Sequence, residues 1–582
     1  MSSDPAIWKE VKVYQLLRVS LSVILISFIT FGCAGNKSVT TSKTSLQVPP
    51  SPPIYEDISG FEKPPCSTGE IKIKQGSLCG NQVTTSDGKA VNVYLGIPFA
   101  ESTGGQNRWR APVPKKPWEG TLKATRSGPS CPQVTSVMNP QSEDCLSINV
   151  WTPAEDSVSP RAVMVFIYGG AFIYGSNADP RYDGAYTAAY GDVVVVNMNY
   201  RLGAFGFLAG VEDKKTGEEI NGNFGILDQI LALEWVRDNI AAFGGDPDKV
   251  TIYGESAGAM STGIHLVSPK SAGLFRAAIM ESNPYGLPYK TLKQAEPLAK
   301  EFAVNLGCAS DNIGCMRTKL PELVLDAQQQ RDFVWPALFQ GIKDMLVWSP
   351  VIDGEILIEQ PLEAALSGKL TKPVIMGTNT NEALLFVEEA KSGVGWKAVS
   401  DFDYRLTMDF IFRDHELRKK IYGKYPPNGK DNTRLISKVL TDYLFTCPNL
   451  DAATHASHET RSYLFDHVPY FNVWPLIPAC ADAVCHSAEL SFVFHTPEGG
   501  GNKFIPRENA LSDLMVEYWT DFAKDPDTGG KSNAWPEFMP GSLSLIFVTP
   551  VDEIKARPYD DADCKFWDGI GYNLRDSFWG LF

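Results

Sequence analysis

Ser256 lies between two glycines in Gly254-Glu255-Ser256-Ala257-Gly258, directly after the apolar run Val250–Tyr253. The β-branched and aromatic residues of that run favour a strand. Ala257, Ala259 and Met260 then open a helix-compatible stretch that includes His265 and Leu266. Strand, sharp turn and helix form the setting in which a serine hydroxyl is raised as a nucleophile. A Cβ at either flank would collide with neighbouring elements, and Gly254 and Gly258 remove that clash. The helix N-terminus beside the serine favours negative charge nearby. The chemistry this pattern predicts is acyl transfer. The same five residues also describe a tight strand–helix turn with no chemistry, so the reading depends on partners elsewhere.

A serine hydroxyl is a poor nucleophile at neutral pH. It needs a base, and the base needs an orienting carboxylate. At such elbows the chain order is serine, acid, histidine. Of the seven histidines, His265 is too close to the elbow and His415 sits among charges on a solvated helix face. His455 and His458 flank a helical segment, and His467 ends the strand-like run Tyr463-Leu464-Phe465. His486 and His495 bracket an apolar stretch; His486, next to Cys485 and before a polar turn, has the loop position that best suits a base. Local chemistry alone leaves that choice open. For the acid, the buried-strand run Pro373–Met376 leads to the loop Gly377–Asn381 and then to Glu382. A carboxylate there would stand at the carboxyl edge of a sheet, or would simply stabilise a helix N-terminus.

Charge developing on a carbonyl oxygen needs fixed N–H donors. The buried run Val163–Ile167 is followed by Tyr168-Gly169-Gly170-Ala171-Phe172, whose small residues let backbone approach a ligand. Gly170 and Ala171, with Ala257, are the candidate donors; a plain glycine turn is the alternative. No Gly-Lys-Ser/Thr follows, so this is not a phosphate loop.

The rest of the chain sets the context. One pattern of short strands and helices runs from about Cys66 to Phe582 without an evident linker, so residues 66–582 are expected to form one domain. Lys9, Lys12 and Arg18 precede the apolar run Val19–Gly32, which is too short to span a bilayer easily and reads as a signal peptide over residues 1–32. Phe31-Gly32-Cys33-Ala34-Gly35 resembles a bacterial lipoprotein signal, with Cys33 as the lipidated residue, although Thr30 stands where such signals usually carry Leu. Residues 33–65 are rich in Ser, Thr and Pro and read as a tether. The expectation is an exported protein: secreted, periplasmic, or attached to a membrane through Cys33 or the apolar segment.

Beyond Cys33, ten cysteines remain. They fall in the local pairs Cys66/Cys79, Cys131/Cys145, Cys308/Cys315 and Cys480/Cys485, leaving Cys447 and Cys564. Sequence does not fix their connectivity, but bridges suit an oxidising compartment. No Cys-x-x-Cys pair has zinc spacing, so no metal is expected. A formal net charge of -15 argues against a nucleic-acid partner, which would call for a basic face.

Taken together, the segments resemble the type-B carboxylesterases, the family that includes the cholinesterases. The resemblance is carried by YLGIPFAE (Tyr94–Glu101), RWRAP (Arg108–Pro112), SEDCLSINVWTP (Ser142–Pro153), NYRLGAFGFL (Asn199–Leu208), GNFGILDQ (Gly222–Gln229) and the long match Trp235–Gly258. GTNTNEALLF and CHSAELSFVF are similar to the family's acid and histidine segments. The resemblance implies Ser256 as nucleophile, Glu382 as acid and His486 as base, with Gly170, Ala171 and Ala257 as oxyanion donors. It implies an α/β-hydrolase fold: a mostly parallel central sheet with helices on both faces and a short antiparallel N-terminal piece. It also implies the bridges Cys131–Cys145, Cys308–Cys315 and Cys447–Cys564, and a structural ion pair between Arg108 and Glu143.

The substrate expected is a small-molecule carboxylic ester, with no cofactor. In cholinesterases the loop closed by the first family disulfide carries a Trp that stacks on choline; here Pro132–Asp144 has no aromatic residue. No choline preference is therefore expected. The Gly-Gly-Ala-Phe loop is similar to a motif linked with tolerance of bulky alcohol esters. Tyr285, Leu287, Phe333, Trp335 and Phe339 could line an apolar pocket or belong to the core. A Cys480–Cys485 bridge would stiffen the approach to His486, and activity should fall below roughly pH 6 as that ring is protonated. The rival readings are a lipase, polyesterase or amide or carbamate hydrolase on the same residues, and a non-catalytic binding protein of the same fold.

Overall fold

A computed structural model of the chain describes residues 54–55, 63–134, 139–329, 346–527, 535–538, 543–558 and 561–572. The signal-like segment, Cys33, most of the tether, and Phe333, Trp335 and Phe339 lie outside these residues.

Runs such as Val193–Val196 and Ala162–Ile167 are apolar on both alternating faces and almost fully buried. A strand of that kind needs cover above and below, which parallel sheets with crossover helices provide. The chain builds an eleven-stranded sheet from β1 (Asn81–Thr84), β2 (Ala90–Pro98), β3 (Ser147–Pro153), β4 (Arg161–Ile167), β5 (Val194–Met198), β6 (Gly245–Glu255), β7 (Ala277–Glu281), β8 (Val374–Asn379), β9 (Thr460–Phe465), β10 (Leu543–Phe547) and β11 (Lys555–Pro558). Their spatial order is β1-β2-β3-β5-β4-β6-β7-β8-β9-β10-β11. Pairing is antiparallel from β1 through β5, parallel from β5 through β10, and antiparallel again at β11.

The helices that matter for the site are α1 (Phe224–Asn239), α2 (Ala257–Val267), α3 (Leu384–Gly393) and α4 (Pro506–Lys524). Helices cover both faces of the sheet. Met280 of β7 faces Gly263 of α2, whereas the next residue, Glu281, accepts a hydrogen bond from Trp519 of α4 at 2.7 Å. Successive strand residues point to opposite faces, so α2 and α4 lie on opposite sides.

β8 runs further than its sequence indicates. Gly377, Thr378 and Asn379 look like loop residues, yet they continue the ladder opposite Tyr463, Leu464 and Phe465 of β9. Gly377 is required there, because the Tyr463 ring fills the space of any Cβ, 1.9 Å away.

Five disulfides close the pairs Cys66–Cys79, Cys131–Cys145, Cys308–Cys315, Cys447–Cys564 and Cys480–Cys485. Such bridges suit an extracellular or exported protein. Among the described residues no helix is long and apolar enough to cross a membrane. Arg108 and Glu143 form a bidentate pair, Nε to Oε1 at 2.7 Å and Nη2 to Oε2 at 2.5 Å. Arg108 also donates to the Lys319 carbonyl at 2.8 Å, so the pair ties three chain segments together in a buried position.

Candidate active site

Ser256 follows the last residue of β6 and precedes α2, with φ 57° and ψ −121°. A positive φ is strained for a residue with a Cβ. The surroundings hold it there: the Ser256 N–H donates to the Glu281 carbonyl of β7 at 3.0 Å, and its carbonyl accepts from Met260 N–H at 2.8 Å. The flanking glycines are explained by close backbone approach. A Cβ on Gly254 would lie 2.6 Å from both the Gly258 and Ile167 carbonyl oxygens, and one on Gly258 only 1.8 Å from that of Ile167. The end of β4 thus presses against the first turn of α2. Gly258→Ala is expected to force these backbones apart, with a loss of about 3 kcal/mol or more in urea unfolding and loss of esterase activity. A variant with an unchanged unfolding midpoint would show that the contact is not tight.

The loop after β4 runs directly against this elbow. A Cβ on Gly169 would meet the Glu255 carbonyl at 2.6 Å and Ser256 Cβ at 3.0 Å. Gly170, Ala171 and Phe172 all have positive φ (106°, 53° and 62°). The Gly170 carbonyl accepts from Ile173 and Tyr174 N–H at 3.0 and 3.1 Å, and the Phe172 carbonyl accepts from Gly203 N–H at 2.7 Å. The turn is therefore braced through its carbonyls. The N–H groups of Gly170, Ala171 and Ala257 donate to no acceptor among the described residues.

Glu382 and His486, 104 positions apart, meet through Nδ1 and Oε2 at 2.6 Å. Both are buried. The other oxygen of Glu382 accepts from the Asn379 N–H at 2.6 Å, so the end of β8 fixes the carboxylate. The two loops are joined twice more: Asn381 N–H donates to the Val484 carbonyl at 2.9 Å, and Val484 N–H donates to Asn381 Oδ1 at 3.1 Å. Trp474 Nε1 donates to the His486 carbonyl at 2.7 Å. The Cys480–Cys485 bridge ends one residue before the ring. An ionised carboxylate only accepts, so Nδ1 donates to it and the neutral ring keeps Nε2 as its acceptor. Nε2 is buried and has no hydrogen-bond partner. Glu255 Oε1, from the residue before Ser256, is 3.1 Å away.

The remaining histidines belong elsewhere. His265 is held by Ser271 Oγ at 2.7 Å and Gln229 Oε1 of α1 at 3.0 Å, and burial pushes its pKa down to about 3. His467 pairs with Glu508 at 3.0 Å. His495 stacks on Tyr186 with ring centroids 3.7 Å apart. His415 lies on an exposed helix. Tyr285 is buried in the core, and Leu287 is packed half-buried against it.

Sequence reading missed several groups around His486. Phe386 of α3 and Phe445 flank the ring at 5.1 and 5.4 Å. Glu489 accepts from Ser282 Oγ at 3.1 Å and Asn379 Nδ2 at 2.5 Å. Glu255 and Glu489 are buried, and burial raises the pKa of each. Their sequence signal was adjacency: Glu255 precedes the serine, and Glu489 follows the histidine by three. Burial opposes charge on His486, but Glu255, Glu382 and Glu489 overcome it and push the ring up to about 9. The loss below roughly pH 6 expected from the sequence corresponds to an isolated imidazole, whereas buried carboxylates surround this ring.

Comparison with known proteins agrees with this architecture. The carboxylesterase family model matches residues 67–567. The chain is 35% identical over 527 residues to the crystal protein of Dictyostelium discoideum, covering 87% of this chain and 91% of that one. It is 32% identical over 547 residues to an acetylcholinesterase of Bungarus fasciatus, covering 87% of each. A solved structure of PNB esterase superposes with a TM-score of 0.72 at 31% identity, covering 85% of this chain and 98% of the other. The fold is that of the α/β-hydrolases, and the chain belongs to the carboxylesterase family of carboxylic ester hydrolases.

Proposed function

We propose that this ester hydrolase works through an acyl-enzyme on Ser256. His486 Nε2 takes the hydroxyl proton as Oγ attacks the ester carbonyl. Glu382 holds the ring in the tautomer that leaves Nε2 open and stabilises the imidazolium once it forms. The N–H groups of Gly170, Ala171 and Ala257 receive the tetrahedral oxygen, a role supported by their lack of other acceptors among the described residues. His486 then returns its proton to the departing alkoxide. Water repeats the cycle on the acyl-enzyme. The observation that carries this reading is the 2.6 Å bond between His486 Nδ1 and Glu382, which leaves Nε2, 3.1 Å from Glu255 Oε1 of the elbow, as the ring atom that can take up a proton.

We further infer that the enzyme is not choline-selective. The loop Pro132–Asp144 has no aromatic residue. Its Gln133 is instead committed to Gly175, donating to the carbonyl at 2.8 Å and accepting from the N–H at 3.0 Å. Export through a signal peptide over residues 1–32, with Cys33 as a lipid anchor, is the accompanying reading. A single domain from residue 66 to 582 is also part of it.

Hydrolysis of p-nitrophenyl acetate, butyrate, octanoate and palmitate, beside acetylthiocholine and a tert-butyl ester, tests the substrate reading. The acyl series is expected to turn over, with the choline ester at least about tenfold slower in kcat/KM, since no cation–π contact is supplied by that loop. A choline ester as fast as the alkyl esters would overturn the substrate reading. A rate gain for palmitate above its micelle threshold would favour a lipase.

A further inference from the structure

We propose that Ser487 is a positioning residue that keeps Glu255 from capturing the base, so that His486 Nε2 stays open to Ser256. This rests on the assignment of His486 as the base. Ser487 Oγ donates to Glu255 Oε1 at 2.5 Å. That same oxygen lies 3.1 Å from His486 Nε2. Among the described residues, Ser487 is the one hydrogen-bond donor to the Glu255 carboxylate. The serine has φ 65°, a conformation that glycine would adopt without strain. A strained serine beside the base is the pattern expected where a side chain has work at the site.

Two donors compete for one oxygen, Glu255 Oε1. Deprotonating His486 removes the cation that Glu255 faces, and the buried carboxylate then depends on the Ser487 hydroxyl. Ser487 therefore stabilises the neutral-ring state more than the charged-ring state. Without the hydroxyl, the nearest donor to Oε1 is Nε2–H, and the imidazolium is held more tightly. The other groups acting on this pair are Glu382 and Glu489, which favour the charged ring, Glu389 of α3, and Arg181, which acts on Glu255.

The test is the pH dependence of kcat/KM for p-nitrophenyl butyrate in Ser487→Gly and Ser487→Ala. Both are expected to move the acid limb upward from the parent's alkaline position by about one pH unit, with activity relative to the parent lowered through that limb and recovered above it. Ser487→Gly accepts the backbone conformation, so its thermal midpoint should equal or exceed that of the parent, and it remains informative if Ser487→Ala folds poorly. In a Glu255→Gln background, Ser487→Gly should cause no further shift. A uniform loss at every pH, an unmoved limb, or a downward shift would overturn the proposal. A His486→Ala variant as active as the parent would instead overturn the assignment of the base, and this inference with it.

Discussion

Ser256→Ala is expected to abolish turnover of p-nitrophenyl butyrate while leaving the fold intact. The loss should be on the order of 10⁴- to 10⁶-fold in kcat, because the acyl-enzyme route disappears and only binding and the oxyanion donors remain. Stability should change little. The backbone of residue 256 is held by its bonds to Glu281 and Met260, which alanine retains. Steady-state rates, with the burst amplitude of the parent as an active-site count, measure the effect. Turnover within about tenfold of the parent would mean that Ser256 is not the nucleophile, since triad serines cost far more than that.

Glu382→Gln should be nearly as severe, at about 10⁴-fold in kcat. The side chain keeps its shape but offers His486 Nδ1 an amide, which permits the tautomer that places the proton on Nε2. A second consequence has a definite sign. Glu382 is one of the carboxylates that raise His486 to about 9. Removing its charge lowers that value, so the acid limb of the residual activity should lie below that of the parent. In the parent, activity should be lost as pH falls through the alkaline region, where the ring takes up its proton. A profile flat from pH 6 to 9 would contradict the carboxylate-rich setting, and a limb that rises in Glu382→Gln would contradict the direct bond.

These predictions rest on features of different visibility. The strand–Gly–x–Ser–x–Gly–helix pattern around Ser256 is local, because the turn is made by adjacent residues and the glycines report its tightness. The buried strands were legible for the same reason: Val163–Ile167 and Pro373–Met376 are apolar on both alternating faces, which only double cover explains. Cysteine spacing indicated the short bridges, while the 117-residue Cys447–Cys564 link had no local spacing to mark it and was indicated by the absence of other partners and by the family resemblance.

Choosing the histidine was a different problem. His486 and His495 both border the same apolar stretch; the loop position after Cys485 favoured His486 without excluding the others, and the family resemblance named it. The tertiary structure separates them: β8 and β9 run in parallel register to Asn379 and Phe465, and Asn381 then clasps Val484. That brings Glu382 to His486 and leaves His495 stacked on Tyr186. The extension of β8 was missed because Thr378 and Asn379 have loop-like side chains, and their ladder partners lie more than eighty residues away. The alkaline shift of His486 likewise required carboxylates from three separate segments to be buried around one ring. Periodicity and turn chemistry act between chain neighbours, so the sequence alone determined the elbow and the strands. Proton affinity depends on distances in space between groups from separate segments, so only the folded chain decided it.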